Sequence, residues 1–317
     1  MKVVVATHGH CFDGLCSAVV FSSLLRQLEG DGVAFTYRSC GYGVSQQTAA
    51  EEHLTGDVNA ILDYRFTPSE RLHWYFDHHQ TAFADAAARR YFDERAAQSE
   101  RFVFDPAISS CTKLLYDTAV TKFGLKTDFD ELVGWADIVD SASFENAAAA
   151  IDRQDPVQRL VSVVEHYGND GFIAQMVAAL SSRPLLAVAK SADVQRRYAP
   201  LGKRHDRFVD AVRTKAQRRG RVVFVDLTDK PLELIGKFVT YALFPESVYS
   251  VVVAQVQHGF KISVGYNPWC GHMLDTDISS ICARYGGGGH PVVGGISVAD
   301  GPRAQAIASH IADELAC

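Results

Sequence analysis

Asp77-His78-His79 follows directly on the apolar run Trp74-Tyr75-Phe76. Three side chains that bind metals or carry protons are poor packing material at the end of a buried strand. They are good holders of divalent cations beside a phosphate. Asp63 follows a second apolar run, Ala60-Ile61-Leu62, and His8, His10, Cys11 and Asp13 follow a third, Val3-Val4-Val5-Ala6. Far downstream stands Gly286-Gly287-Gly288-Gly289-His290. Hard cations such as Mn2+ and Mg2+ prefer carboxylates, and Mn2+ also accepts imidazole. Two such ions about 3.5–4 Å apart can activate a water, neutralise phosphate oxygens and stabilise a leaving oxygen. A site of this kind needs a bridging carboxylate, for which Asp63 is the candidate, and Asp or His ligands arriving from other strand ends. His78 reads as a ligand and His79 as a phosphate contact. Asp13, at a helix start, has a second reading as a helix cap.

The elements that must position these residues alternate in kind. Residues 3–6, 34–37, 60–63 and 74–76 read as strands, and 14–28 as an amphipathic helix closed by Gly30. Strands alternating with helices predict right-handed crossovers and a parallel, doubly wound α/β sheet. In such sheets ligands bind at the carboxyl ends of the strands, where His8, Asp63 and Asp77 all fall. Beyond the fourth strand the pattern turns helical. Ser109-Ser110 can cap a helix to about Lys122, a second helix runs from about Asp128 with Asp137 and Asp140 at its end, and 153–180 is helical again. A charged segment, 190–217, reads as a linking helix. Strands at 221–226, 248–255, 261–264 and 295–298, with helices at 232–243, 279–285 and the C-terminus, predict a smaller α/β unit with a mixed sheet. The expected division is a metal-binding domain at 1–188, a linker helix at 189–219 and a substrate-binding domain at 220–317.

Composition sets limits on partners. The chain has 317 residues, 47% hydrophobic and 21% charged, so it is long enough for two cores. No stretch approaches the roughly 20 apolar residues of a membrane span, and the N-terminal apolar run is too short for a signal peptide. Seven scattered cysteines without a CxxC pair fit a reducing cytoplasm. A net charge of −6 gives little attraction to a long duplex. Residues 190–221 nevertheless carry eleven Lys or Arg against three Asp, which reads either as a solvated connector or as a wall that attracts phosphates. No serine nucleophile elbow or P-loop lysine pattern is present, which disfavours acyl transfer and NTP-driven chemistry.

The chain resembles the DHH-family phosphoesterases with a DHHA1 second domain. Asp77-His78-His79-Gln80-Thr81-Ala82 is similar to the signature triplet, His8 through Asp13-Gly14-Leu15-Cys16-Ser17-Ala18 to the first motif, and Ile61-Leu62-Asp63 to the second. Pro106-Ala107-Ile108-Ser109-Ser110 resembles the segment after the triplet, and Asp137 or Asp140 the fourth motif. Tyr285 through Pro291, with Gly294-Gly295, resembles the glycine-rich substrate loop. The resemblance implies two-metal hydrolysis, usually with Mn2+, though Mg2+ or Co2+ can serve. His8, Asp13, Asp63, His78 and Asp137 (or Asp140) would be ligands, with His10 and Cys11 as further candidates. Asp63, Asp77, His78 and His79 would form the catalytic set, Asp77 orienting a histidine. Substrate contacts would come from His79, Asn267, Arg284, the Gly287, Gly288 and Gly289 N–H groups, and His290. Cys11 departs from the usual family pattern, which has a carboxylate two residues before Asp-Gly, although a subset of the family carries a His-x-x-Cys-x-Asp-Gly version; a thiolate is poorly matched to Mn2+. An Arg that members often place before the glycine loop is also missing from 263–269, where Asn267 and Trp269 stand.

These readings lead to the expectation of a cytoplasmic phosphodiesterase or phosphomonoesterase of exonuclease type. Its substrates would be short single-stranded RNA, 3′-phosphoadenosine-type nucleotides or dinucleotides held between two domains, with a homodimer among the assemblies compatible with it. The alternatives are an inorganic pyro- or polyphosphatase and a nucleotide sensor that has lost catalysis through Cys11.

Overall fold

The structure, a computed structural model, describes residues 1–41, 47–231, 236, 238–256 and 259–316, which form two compact units. The first comprises Met1–Ser143 and Gln154–Tyr198, the second Phe144–Arg153 and Ala199–Cys317. The chain begins β1 (Lys2–His8), α1 (Phe12–Glu29), β2 (Ala34–Cys40), β3 (Val58–Leu62), β4 (Trp74–Asp77), α2 (Ala86–Ala96) and β5 (Phe102–Phe104). Helices α3 (Cys111–Phe123) and α4 (Asp130–Asp140) follow. After the short α5 (Ala147–Ala150) of the second unit come α6 (Pro156–Tyr167), α7 (Asp170–Leu180), α8 (Leu185–Ala189) and α9 (Ala192–Lys215).

The first unit has a five-stranded sheet in the order β2-β1-β3-β4-β5, with every neighbouring pair parallel. Parallel strands are covered on both faces and so read as continuous apolar runs; Val3, Val4, Val5 and Ala6 are all buried. Alternation along β4 sends successive aromatic rings to opposite faces. Tyr75 meets Phe66 and, in α2, Phe92 edge-on, while Trp74 packs on Phe21 of α1 and Phe123 of α3. The sheet is therefore doubly wound. Strand order reverses direction at β1 and β3, and in open α/β sheets a ligand crevice opens beyond the carboxyl ends of the strands at such a point.

Local chemistry explains most element ends. Gly30, at φ 84°, closes α1 with its N–H on the Arg26 carbonyl. The Ser110 hydroxyl accepts from the Lys113 N–H to cap α3. The helical stretch expected over 153–180 is two helices, because the Asn169 side chain caps a new one by accepting from the Phe172 N–H. In the first unit α2, β5 and α8 escaped the sequence pattern. Helix α2 buries only Ala88 and Phe92, a narrow stripe, and β5 has only three residues.

The second unit continues with β6 (Ala216–Arg219), β7 (Val222–Leu227), α10 (Val239–Leu243), β8 (Tyr249–Val256), β9 (Gly259–Tyr266), α11 (Ile278–Ala283), β10 (Gly288–His290), β11 (Val293–Val298) and α12 (Gly301–Leu315). Its six-stranded sheet, β10-β11-β9-β8-β7-β6, is mixed: β7 and β8 run parallel and the other pairs antiparallel. Ala304, Ala308, Ile311 and Leu315 of α12 share a core with Val251, Val253 and Ile262. Of the helix expected over 232–243, residues 232–235 and 237 lie outside the described residues, and its end is α10. The expected linker is largely α9, but its last residues form β6 and join the second sheet. Along α9, Arg196 and Arg197 pair with Asp193, Arg213 with Asp210, and Lys215 with Asp229, the pattern of a solvated helix. Among the described residues no helix is long and apolar enough to cross a membrane.

The turn from β1 into α1 requires glycine. A Cβ on Gly14 would lie 2.2 Å from the His8 carbonyl oxygen, and the Thr7 hydroxyl donates to the Gly14 carbonyl at 2.7 Å. Gly14→Ala is expected to destabilise the protein by about 1–3 kcal/mol in urea unfolding. Gly134→Ala, in α4 with nothing within 4 Å of the added Cβ, should be neutral or stabilising by up to about 1 kcal/mol. Equal effects at the two positions would contradict this account of the turn.

Candidate metal centre

His8 ends β1, Asp63 lies one residue past β3, and Asp77 ends β4, so three adjacent parallel strands deliver their chemistry to one sheet edge. Asp63 is fully buried and takes a left-handed φ of 56°, unusual for a residue other than glycine. Among the described residues neither of its carboxylate oxygens meets hydrogen-bond geometry with any partner. Burial drives its pKa well above the usual carboxylate value, and Asp13, Asp140 and Asp77 push the same way; the nearby Cys11 thiol acts against them.

Three overlapping groups of ligand atoms surround this carboxylate, one of them Asp63, His78 and His79. His8, Cys11 and Asp63 offer atoms all within 4.8 Å of one another, and so do Asp13, His78 and Asp140. His78 Nε2 lies 3.7 Å from Asp63 Oδ1, 3.9 Å from Asp13 and 3.3 Å from Asp140, and His8 Nδ1 lies 3.7 Å from Asp63 Oδ2. His78 Nδ1 stands 3.2 Å from the Ile108 carbonyl, which selects the tautomer with the proton on Nδ1. Nε2 then faces three carboxylates, and this atom too lacks a hydrogen bond among the described residues. Several carboxylates turned toward one point repel one another unless positive charge, on a cation or a protonated imidazole, lies between them. The donors fit divalent metal on this ground: seven side chains from five elements present oxygen, nitrogen and one sulfur, with Asp63 shared.

Asp13 does not cap its own helix. The N-cap position of α1 is Cys11, whose side chain makes no cap hydrogen bond. The Asp13 carboxylate instead accepts from the Cys111 and Thr112 N–H groups at 2.7 and 2.9 Å, and so sits at the N-terminus of α3. Burial raises its pKa, while these hydrogen bonds and His78 oppose the rise.

Asp77 accepts from the Tyr75 hydroxyl at 3.0 Å, from the His78 and His79 N–H groups, and from His79 Nδ1 at 2.7 Å. This fixes the His79 ring and leaves Nε2 as its outward atom. Burial tends to lower the His79 pKa, but the Asp77 hydrogen bond and the charges of Asp77, Asp140 and Asp13 outweigh it and the pKa rises.

Asp137 and Asp140 separate in the structure. Asp137 Oδ1 accepts from the Ser109 and Ser110 hydroxyls at 2.5 and 3.1 Å, tying α4 to the start of α3. Asp140, one turn later, is the residue that joins His78 and Asp13. His10 turns away: its Nδ1 lies 3.1 Å from the Glu165 carbonyl, and its N–H bonds the Gly168 carbonyl. Sequence reasoning did not single out the Tyr75 hydroxyl, the Ile108 carbonyl or the Cys111 and Thr112 N–H groups. Tyr75, two residues before Asp77 on one strand face, was the one with a readable signal.

In the second unit, Asn267 needs correction as a substrate contact. It is fully buried, its amide donates to the Pro245 and Ser247 carbonyls, and its oxygen accepts from the Trp269 N–H. Trp269 is likewise committed, its indole N–H donating to the Phe144 carbonyl and its ring edge-on to Phe238. Arg284 is held in a two-pronged pair by Glu314 at 2.7 Å. Gly286 and Gly287 spend their N–H groups on the Ala283 and Cys282 carbonyls, closing α11. Gly288, Gly289 and His290 form β10, an exposed edge strand rather than an open loop.

No family model matches the chain, and no curated protein matches it. Solved structures do. The chain is similar to PggH, a pGpG-specific phosphodiesterase from Vibrio cholerae, with a TM-score of 0.71 and 18% identity over 99% of both chains. It is also similar to an exopolyphosphatase-related protein from Bacteroides fragilis, with a TM-score of 0.57 and 14% identity over 99% of this chain and 92% of the other. A third match is RecJ from Thermus thermophilus, in complex with Mn2+, with a TM-score of 0.57 and 13% identity; it covers 99% of this chain but only 52% of RecJ. The chain has the two-domain α/β fold of the DHH–DHHA1 phosphoesterases.

Asp63→Asn removes a buried charge while keeping its shape. In chelator at neutral pH the variant should be more stable than the unsubstituted protein by roughly 1–3 kcal/mol. Folding raises the Asp63 pKa, so the penalty is absent below the ordinary value of 3.8 and grows as pH climbs toward the folded value. The advantage of Asn should therefore vanish in acid and grow toward neutrality, read by urea unfolding at several pH values. An advantage that shrinks with rising pH would contradict the assignment.

Proposed function

We propose that this protein is a divalent-metal-dependent phosphodiesterase that hydrolyses short linear nucleotides, with linear dinucleotides as its main substrate class. One observation carries the reading: a fully buried carboxylate, Asp63, with neither oxygen hydrogen-bonded among the described residues, stands between two donor sets at the strand ends. The full-length likeness to a pGpG-specific phosphodiesterase supports the substrate class, and the net charge of −6 disfavours long duplexes.

Asp13, Asp63, His78 and Asp140 would hold one cation, and His8, Cys11 and Asp63 the other. When bound, a pair of divalent ions supplies an activated water and neutralises charge on the phosphate. The chain's own residues do the rest. His78 Nδ1, fixed by the Ile108 carbonyl, keeps Nε2 turned inward. Asp77 holds the His79 ring with Nδ1 toward itself and favours its protonated form, so that Nε2 can donate to a phosphate oxygen or to the departing sugar oxygen. Asp137 braces α4 through Ser109 and Ser110 and so sets the place of Asp140.

The test is product release, followed by chromatography, from a linear diribonucleotide, a five-nucleotide RNA, a cyclic dinucleotide, 3′-phosphoadenosine 5′-phosphate and polyphosphate, each with Mn2+, Mg2+ or Co2+. The diribonucleotide should be cleaved fastest. Asp140→Asn should lower that rate at least about 100-fold with the fold intact, whereas Asp137→Asn should act mainly by lowering stability. Hydrolysis of polyphosphate without any nucleotide turnover would replace this reading with that of a polyphosphatase, the activity suggested by the Bacteroides neighbour's name.

A further inference from the structure

The two donor sets differ in chemical character. Asp13, Asp63, His78 and Asp140 offer three carboxylates and one imidazole, a hard set. His8, Cys11 and Asp63 offer one imidazole, one thiol and one carboxylate, with their ligand atoms within 4.8 Å of one another. We propose that Cys11 is a metal ligand and that it makes the His8–Cys11–Asp63 position selective for a borderline cation such as Zn2+, Fe2+ or Co2+. The other position takes the harder Mn2+ or Mg2+.

Three observations carry the inference. Cys11 is half-buried at the N-cap of α1, where Ser, Thr, Asp or Asn usually spends its side chain on the helix, yet its thiol makes no cap bond. Cys16 and Cys111, by contrast, are fully buried, and Cys111 donates to the Phe76 carbonyl at 3.2 Å. Independently, Asp63 is fully buried with both oxygens lacking hydrogen bonds among the described residues. One oxygen lies toward His78 and the other toward His8, at 3.7 Å each, so one carboxylate faces both positions.

Binding breaks the Cys11 S–H bond and forms a metal–sulfur bond. The proton leaves to solvent and no electron is transferred. A thiolate is a soft donor, so replacing a carboxylate by it shifts preference away from Mn2+ and Mg2+ and toward later first-row ions. A mixed-metal centre follows, in which one ion is held mainly through oxygen and the other through one sulfur, one nitrogen and one oxygen. The inference rests on the metal occupancy proposed above, and not on the choice of substrate.

The test uses the full-length protein, stripped with chelator and titrated with Co2+. Visible d–d absorption reports Co2+ entry, and a near-ultraviolet sulfur-to-Co2+ charge-transfer band reports a cysteine ligand. The unsubstituted protein should show both. Cys11→Ser and Cys11→Asp should keep the visible bands and lose the near-ultraviolet one, with folding checked by circular dichroism. Cys11→Asp should also shift the ratio of Mn2+ to Co2+ affinity toward Mn2+ by about 10-fold or more in competition binding. Visible absorption without a charge-transfer band, a band that survives Cys11→Ser, or an unchanged affinity ratio would each overturn the proposal. Absence of both absorptions would overturn the metal reading itself, which separates the two failures.

Discussion

The carboxylate of Asp63 is the constraint on which the rest of the centre depends. It lies at the end of a central parallel strand, sealed from water and near three other carboxylates. A charge in that position is costly without a partner of opposite sign, and no Lys or Arg salt bridge supplies one among the described residues. The ring nitrogens within 4 Å of it belong to His8, His78 and His79. A sheet edge built in this way favours positive charge among its carboxylates.

The surrounding structure keeps these groups from relaxing apart. Gly14 lets α1 approach β1 closely enough for the Thr7 hydroxyl to tie the turn. Asp13, instead of capping its own helix, reaches across to the first N–H groups of α3, so one carboxylate joins two helices while facing His78. Asp137 joins α4 to the same helix start through Ser109 and Ser110. Asp77 collects four donors and so fixes both following histidines. Each link is short-ranged, and together they hold candidate ligands drawn from five elements in register.

Much of this was legible in the sequence because parallel strands announce themselves as apolar runs. The polar residues that interrupt each run must then lie at strand ends, and His8, Asp63 and Asp77 do. Less legible was anything set by tertiary partners. Asp137 and Asp140 lie on one helix one turn apart, and only the location of Ser109 and Ser110 divides their roles. Asn267 looked like a polar group at a strand end facing a ligand, but neighbouring carbonyls consume its amide. Arg284 looked like a free cation before the glycine run, and Glu314, 30 residues away, claims it. The four glycines suggested an open cradle, yet the first two finish a helix and the next two begin an edge strand. A three-residue strand such as β5 has too short a pattern to be read from periodicity at all.

The most direct test of the central claim is anomalous diffraction from crystals of the full chain soaked in Mn2+. The account predicts two peaks about 3.5–4 Å apart, one on each side of the Asp63 carboxylate. The peak between His8 and Cys11 should weaken relative to its neighbour as Mn2+ is lowered, and strengthen when Zn2+ is supplied and its absorption edge is used. Density showing Asp63 hydrogen-bonded to protein groups, with no ion within bonding distance at saturating metal, would contradict it.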